Sequence, residues 1–203
     1  MTDLDHNTEQ QIFRAARKIF TLKGYNGARM QEIADEAGIN KALLHYYFRN
    51  KDKLFEGVFR DVLKTLFPGL TNILTADLPL FEKIPLFVSQ YIDILTNNPE
   101  IAGFVLYELR LNPQRLVGNL RDIGIDMDLI RSQIESEVAA GIIRPVKPEH
   151  LIANLISMTI FPFIARPVLM SIAGMDEAHY TKFIEERKRI VPETIIQSLK
   201  PIQ

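Results

Sequence analysis

Cysteine and tryptophan are both absent from this 203-residue chain. Without a thiol there is no disulfide, no thiolate metal site and no cysteine nucleophile. Long apolar runs are missing as well. The longest, Met158 to Ala165, contains Pro162 and falls far short of the ~20 residues that a spanning helix needs. The opening MTDLDHNTEQQ is polar and acidic, the opposite of a secretion signal. A cytoplasmic protein with no membrane partner is expected. The four histidines, His6, His45, His150 and His179, are scattered and show no metal-ligand spacing. No glycine-rich phosphate loop or nucleophile elbow is present. The expectation is therefore no catalytic residue, no metal, no cofactor and no enzymatic activity.

What is present is an ordinary soluble composition, 47% hydrophobic and 24% charged, enough for one or two domains with a real core. The net charge of −1 argues at first against a nucleic-acid partner, but the charge is unevenly spread. Residues 7–55 carry nine Lys/Arg against five Asp/Glu, and the remainder to the C-terminus carries fifteen against eighteen. A small basic head precedes a larger, mildly acidic body.

The spacing predicts helices throughout, with no strands and no repeats. Residues before Thr8 read as a disordered lead. Thr8 to Leu22 shows one apolar face through Ile12, Ala15, Ala16, Ile19 and Phe20. Arg14, Arg17 and Lys18 lie mostly off it, either reaching toward phosphates or forming a solvated face. Gly24 stops this helix. The stretch QEIADEAGINKALLHYYF, Gln31 to Phe48, then reads as two short helices around a tight turn. Ile33, Ala34 and Ala37 face inward from the first helix, and Leu44, Tyr47 and Phe48 from the second. Gly38 takes the turn, Ile39 plugs the corner and Asn40 caps the next helix. These coincident demands are those of a helix-turn-helix, whose second helix enters the DNA major groove. An ordinary helical hairpin has no need of Lys41, His45 and Tyr46 on its surface.

A connector helix follows from Lys51 to about Phe67, apolar on more than one side, and Pro68-Gly69 ends it. The body reads as helices over Phe81–Asn97, Glu100–Leu111, Leu120–Ala140, His150 to about Phe161, and Asp176 or Glu177 to about Leu199. Pro162 and Pro167 end or kink the fourth of these, and Pro192 kinks or splits the last.

From Phe13 to Phe59 the head resembles the DNA-binding domain of the TetR family of bacterial transcriptional repressors. The core of the likeness is GYNGARMQEIADEAGINKALLHYYFRNKDKLF, with YYF followed by Lys51 and then Leu54-Phe55. The sequence departs from the family pattern at Ala28 and Arg29, where Ser or Thr is usual, at Ala42 and Leu43, and at His45 in place of Tyr. The resemblance implies an all-α fold: an N-terminal three-helix helix-turn-helix domain, residues 8–55, joined by a connector helix to a helical effector-binding and dimerisation domain, residues 56–203.

The expected DNA-contacting residues are Arg29, Asn40, Lys41, Ala42, Leu43, His45, Tyr46, Tyr47 and Lys51. Lys41 is placed to donate to a guanine edge, and Ala42 or Leu43 to meet a thymine methyl. The family's phosphate positions correspond to His45, Tyr46, Tyr47 and Lys51. Two heads about 34–36 Å apart would read a palindrome, so a homodimer is expected. Its interface is assigned to the last two helices, through Ile152, Leu155, Ile156, Thr159 and Ile160 with Phe183, Ile184, Arg187, Ile190 and Val191. The competing reading buries these faces within one subunit. The resemblance further implies a small-molecule effector, apolar or amphipathic, that releases the operator. Its candidate lining is Phe87, Tyr91, Phe104, Tyr107, Glu108, Met127, Ile130 and Phe161. Glu108, a carboxylate in an apolar helix, needs a partner, either an arginine such as Arg110 or Arg115 or the ligand. A helical carrier or partner-binding module that merely retains the head is the alternative function.

Overall fold

Turn and capping residues divide the chain into twelve helices among the described residues, 3–111 and 113–201, of a computed structural model; no strand occurs among them. In order they are α1 (Asp3–Gly27), α2 (Met30–Glu36), α3 (Lys41–Tyr47), α4 (Lys51–Leu66), α5 (Pro68–Thr75) and α6 (Leu80–Asn97). Then come α7 (Glu100–Leu111), α8 (Pro113–Asp122), α9 (Met127–Ala139), α10 (Pro148–Ile164), α11 (Arg166–Ala173) and α12 (Glu177–Leu199).

Two compact units result. The first runs to Leu66 and takes in Gly103–Asn119; the second comprises Phe67–Ala102 and the chain from Leu120. The expected boundary between Phe55 and Glu56 falls inside α4. In the first unit α1 packs on α2 and α4, and α2 on α3. Its core holds Ile12, Ala16 and Phe20 of α1, Ile33 and Ala34 of α2, Leu44 of α3, and Leu54, Phe55, Val58, Phe59 and Val62 of α4. Each large apolar side chain so buried contributes about 1.5–3 kcal/mol. In the second unit α6 is the central helix, packed by α5, α10 and α12, while α9 and α11 pack on α10.

Several boundaries differ from expectation. Residues Asp3 to Asn7, expected as a disordered lead, belong to α1. The apolar periodicity starts only at Ile12, so it carried no sign of the earlier turns. Gly24 breaks α1 as expected, with φ 66° and ψ 174°. The helix expected over Leu120–Ala140 is two helices. Gly124 at φ 87° turns the chain, a conformation that glycine adopts without a Cβ clash, and the Asp126 side chain caps α9 by accepting from the Asp128 N–H at 2.9 Å. Pro68 does not only end α4; it occupies the first turn of α5, where its missing N–H costs nothing. Pro162 and Pro192 lie inside continuous helices, and Pro167 starts α11. No single helix among the described residues is long and apolar enough to cross a membrane; α10 and α11 pass that test only together, and they bend by 75°.

Candidate nucleic-acid interface

Local chemistry builds the turn between α2 and α3 much as the spacing suggests. Gly38 sits at φ 64°, the left-handed region that ends a helix. The Ile39 N–H donates to Ala34 O at 3.0 Å and the Gly38 N–H to Asp35 O at 3.1 Å, satisfying the last carbonyls of α2. Asn40 is extended, at φ −79° and ψ 156°, and its Oδ1 accepts from the Leu43 N–H at 2.8 Å. The side chain of Gln11 on α1 donates to Ala37 O at 2.7 Å, tying the turn to the first helix. Lys18–Glu36 and Lys23–Glu32 pair α1 with α2 at 2.6 and 2.9 Å, on the exposed surface where such pairs add little.

The inward side of α3 is Leu44, buried with Ile33 and Ala34. Its outward side presents Lys41, Ala42, Leu43, His45 and Tyr46, the last 81% exposed. These five and Asn40 therefore share one solvent-facing surface. The Asn40 oxygen is committed to the cap. The His45 Nδ1 lies 3.2 Å from Arg49 O. Tyr47 is half-buried, and its ring stacks on that of buried Phe48. Arg29 is the extended, exposed residue before α2, with no capping role for its side chain.

Lys51 is engaged within the fold. Its Nζ donates to Tyr25 O at 2.8 Å and to Ala28 O at 3.0 Å, and stands 4.4 Å over the Tyr25 ring. The Tyr25 hydroxyl donates to Asp52, and burial together with that bond pushes its pKa well up. The start of α4 is thus stapled to the end of α1. Lys51→Ala is expected to lower stability by about 1.5–3 kcal/mol, the worth of hydrogen bonds to a charged group. A phosphate contact alone would leave the melting temperature unchanged and reduce the salt slope of DNA binding by about one. Thermal unfolding beside a salt titration separates the two.

Two basic residues stand near this surface without having been singled out. Arg49 and Lys53 are exposed and line, with Tyr46 and Tyr47, an open groove of about 700 Å³ between α1, the end of α3 and α4. The available signal was their place after the YYF run, Arg49 directly next to it and Lys53 five residues beyond Phe48.

The candidate effector residues are shared between the two compact units. Phe104, Tyr107 and Glu108 belong to the first unit, and Phe87, Tyr91, Met127, Ile130 and Phe161 to the second. Phe104 and Tyr107 join Phe20, Tyr25 and Phe55 in a cluster of rings. Glu108 is fully buried and takes both its hydrogen bonds from Arg115, at 2.9 and 2.5 Å. Arg115 also lies 3.7 Å from Glu56 of α4. Burial pushes the Glu56 carboxyl up, but the Lys53 hydrogen bond and the charges of Lys53, Arg115 and Arg60 bring it below its ordinary value. In the second unit Phe87 and Ile130 line a small cavity between α5, α6, α9 and α10. Tyr91 packs against Phe67 and Phe87 beside it. Met127 is half-buried, and Phe161 is exposed on the outer side of α10.

The candidate interface residues all lie in the second unit and divide by burial. Thr159, Ile160, Ile184 and Val191 are buried within the single chain. Ile152, Leu155, Phe183 and Arg187 are half-buried; Ile156 and Ile190 are exposed. Arg187 donates to Met158 O at 2.5 Å, joining α12 to α10.

Comparison with known proteins agrees with this geometry. Residues 12–58 match the model of the bacterial regulatory proteins of the tetR family. The HTH-type transcriptional regulator RutR of Escherichia coli (strain K12) is 26% identical over 191 residues, covering 92% of this chain and 90% of RutR. The uncharacterized HTH-type transcriptional regulator YhgD of Bacillus subtilis (strain 168) is 28% identical over 148 residues, covering 68% of this chain and 73% of YhgD. Among solved structures, a TetR-family transcriptional regulator from Mesorhizobium loti superposes with a TM-score of 0.64 at 18% identity, covering 99% of this chain and 100% of that one. Transcriptional regulator SCO4942 of Streptomyces coelicolor gives a TM-score of 0.70 at 18% identity, over 96% and 99% of the two chains. With a capped recognition helix facing solvent and residues 12–58 matched, the chain carries the DNA-binding domain of the tetR family of bacterial regulatory proteins, and over most of its length it is similar to DNA-binding transcriptional regulators.

Proposed function

We propose that this regulator is a repressor that binds a palindromic operator as a homodimer and is released from it by a small apolar or amphipathic effector. The observation that supports the dimer is the apolar side chains that the last helices leave outside the core. Ile156 and Phe161 of α10, Val168 and Ile172 of α11, and Ile190 of α12 are all exposed in the single chain. Large apolar side chains left in water gain by burial against a partner. A second copy of these helices, related by a two-fold axis, would cover them with self-complementary contacts. The short α3 offers few base-reading side chains, so a second head adds the affinity and specificity that one lacks. The exposed, capped recognition helix disfavours a carrier with an idle head.

An effector acts by binding the arrangement that cannot hold DNA better than the one that can, with a coupling of about 1–3 kcal/mol in typical systems. The cavity among α5, α6, α9 and α10 is the site we assign to it.

The oligomer carries the first test. Ile190, 39% exposed, is replaced by aspartate. The variant is expected to stay folded, to sediment at half the mass of the wild type and to lose tight operator binding. A dimer of unchanged mass would move the interface elsewhere. Ile184, only 4% exposed, is unsuitable for this test, because a charge there disrupts the protomer itself.

A further inference from the structure

The cavity in the second unit is apolar apart from Lys83 and Gln133. Lys83 lies on α6 and is only 7% exposed. Burying an ammonium is costly unless a counter-charge or a full set of acceptors meets it. An ammonium has three donors. Here one goes to Leu74 O at 2.9 Å and one to Gln133 Oε1 at 2.6 Å, both neutral acceptors. Among the described residues no ion pair neutralises it. A carboxylate is reached only through Gln133: its Nε2 donates to Glu137 Oε1 at 2.8 Å, and that same oxygen accepts from the Leu80 N–H at 3.0 Å. Gln133 is therefore oriented with its oxygen toward Lys83 and its nitrogen toward Glu137. Burial lowers the Lys83 pKa, and the charges of Glu137 and Asp77 only partly oppose this. The result is a cationic group with a donor in hand, on the wall of an apolar cavity.

Size adds a second constraint. The cavity is about 40 Å³. A single water takes about 10–15 Å³ on the same measure. The space fits a small head group but no hydrocarbon chain. A ligand with a chain must part Leu74, Phe87 and Leu155, so its bound form differs from the one described here. That difference is what a release signal requires.

We propose that Lys83 is the counter-ion for an acidic head group, and that the effector class of this chain is an amphipathic monocarboxylate whose tail lies among Ile84, Phe87, Ile130 and Leu155. This rests on the reading of the second unit as effector-binding. A carboxylate supplies the acceptor that Lys83 lacks and neutralises it in the low-dielectric interior. A purely apolar ligand would seal the ammonium off from water with nothing in exchange.

The experiment uses the full chain and two probe series, hexanoate, decanoate and tetradecanoate against the alcohols of the same lengths. Thermal unfolding and titration calorimetry read binding, since a ligand of the native state raises the melting temperature. The expected result is that at least one carboxylate binds about ten- to a hundred-fold tighter than its alcohol, the range for hydrogen bonds to a charged group. In Lys83→Met this preference disappears. Because Lys83 also holds α5, Lys83→Gln serves as a second variant that keeps a donor without the charge, and circular dichroism checks that each is folded. The wild-type comparison stands whether or not the variants fold. Alcohols binding as well as carboxylates would overturn the acidic-head inference and leave the effector reading of the cavity intact. A carboxylate preference that survives in a folded Lys83 variant would place the anchor elsewhere and overturn it too. No binding by either series would remove both the inference and the effector reading of this cavity.

Discussion

Replacing Phe55 with alanine is expected to lower the free energy of unfolding by about 3–5 kcal/mol, the range for truncating a buried phenylalanine. The ring is 2% exposed and lies at the centre of an aromatic cluster. Edge-on contacts join it to Phe20 at 5.1 Å, Tyr25 at 5.3 Å and Phe104 at 5.2 Å, and a tilted one to Tyr107 at 4.7 Å. Such pairs add about 0.5–1.5 kcal/mol each beyond the area they bury. Domains of this kind are stable by about 5–15 kcal/mol, so the loss removes a large share of what holds the first unit folded. Urea unfolding followed by circular dichroism measures it. A loss below about 1 kcal/mol would mean that the neighbouring rings close over the gap, contrary to the rigid packing of a dense core. Operator binding is expected to fall with the folded fraction, since Phe20 and Tyr25 belong to the helix on which the helix-turn-helix is built.

The second large effect belongs to DNA. Lys41 is exposed at the first position of α3, which we propose as a position that meets a base edge. Lys41→Ala is expected to cost about 1–3 kcal/mol per head, the worth of one good base contact, and so about 2–6 kcal/mol for two heads on a palindrome. The loss should appear on operator DNA and much less on unrelated sequence, because a base contact specifies whereas a phosphate contact only positions. Stability should hardly change, since among the described residues this ammonium makes no hydrogen bond or ion pair. Equal losses on operator and random DNA would reassign Lys41 to the phosphate backbone. Unchanged operator affinity would remove it from the interface.

The contrast between Lys41 and Lys51 indicates how far the sequence could be read. Gly38, Ile39, Asn40 and Leu44 each answer a local demand of one tight turn, so their spacing alone makes the motif legible. The destination of a long side chain is not local. Lys51 has anion-binding chemistry at a helix start, yet carbonyls contributed from Tyr25 and Ala28 lie closer to hand. The body was less legible for a related reason. Ile123, Met127 and Ile130 keep the helical phase across the break, so periodicity concealed it. The signal that did mark it was Gly124 followed by Asp126, a stop and then a cap. The apolar residues of α10 and α12 exceed what one core needs, but their pattern does not apportion them. Only packing shows that Ile184 and Val191 turn inward while Ile156 and Ile190 stay out.

The lack of tryptophan gives the tyrosines a use in the optical laboratory. Ultraviolet emission from this protein comes from its six tyrosines alone. Tyr91 and Tyr180 are shut away from dissolved quenchers, and the Tyr25 phenol is tied to a carboxylate that dims it. Tyr46 stands out from the recognition helix into water. The light most open to iodide therefore originates from α3, and on our proposal that this helix meets DNA the unlabelled protein carries its own reporter of operator occupancy.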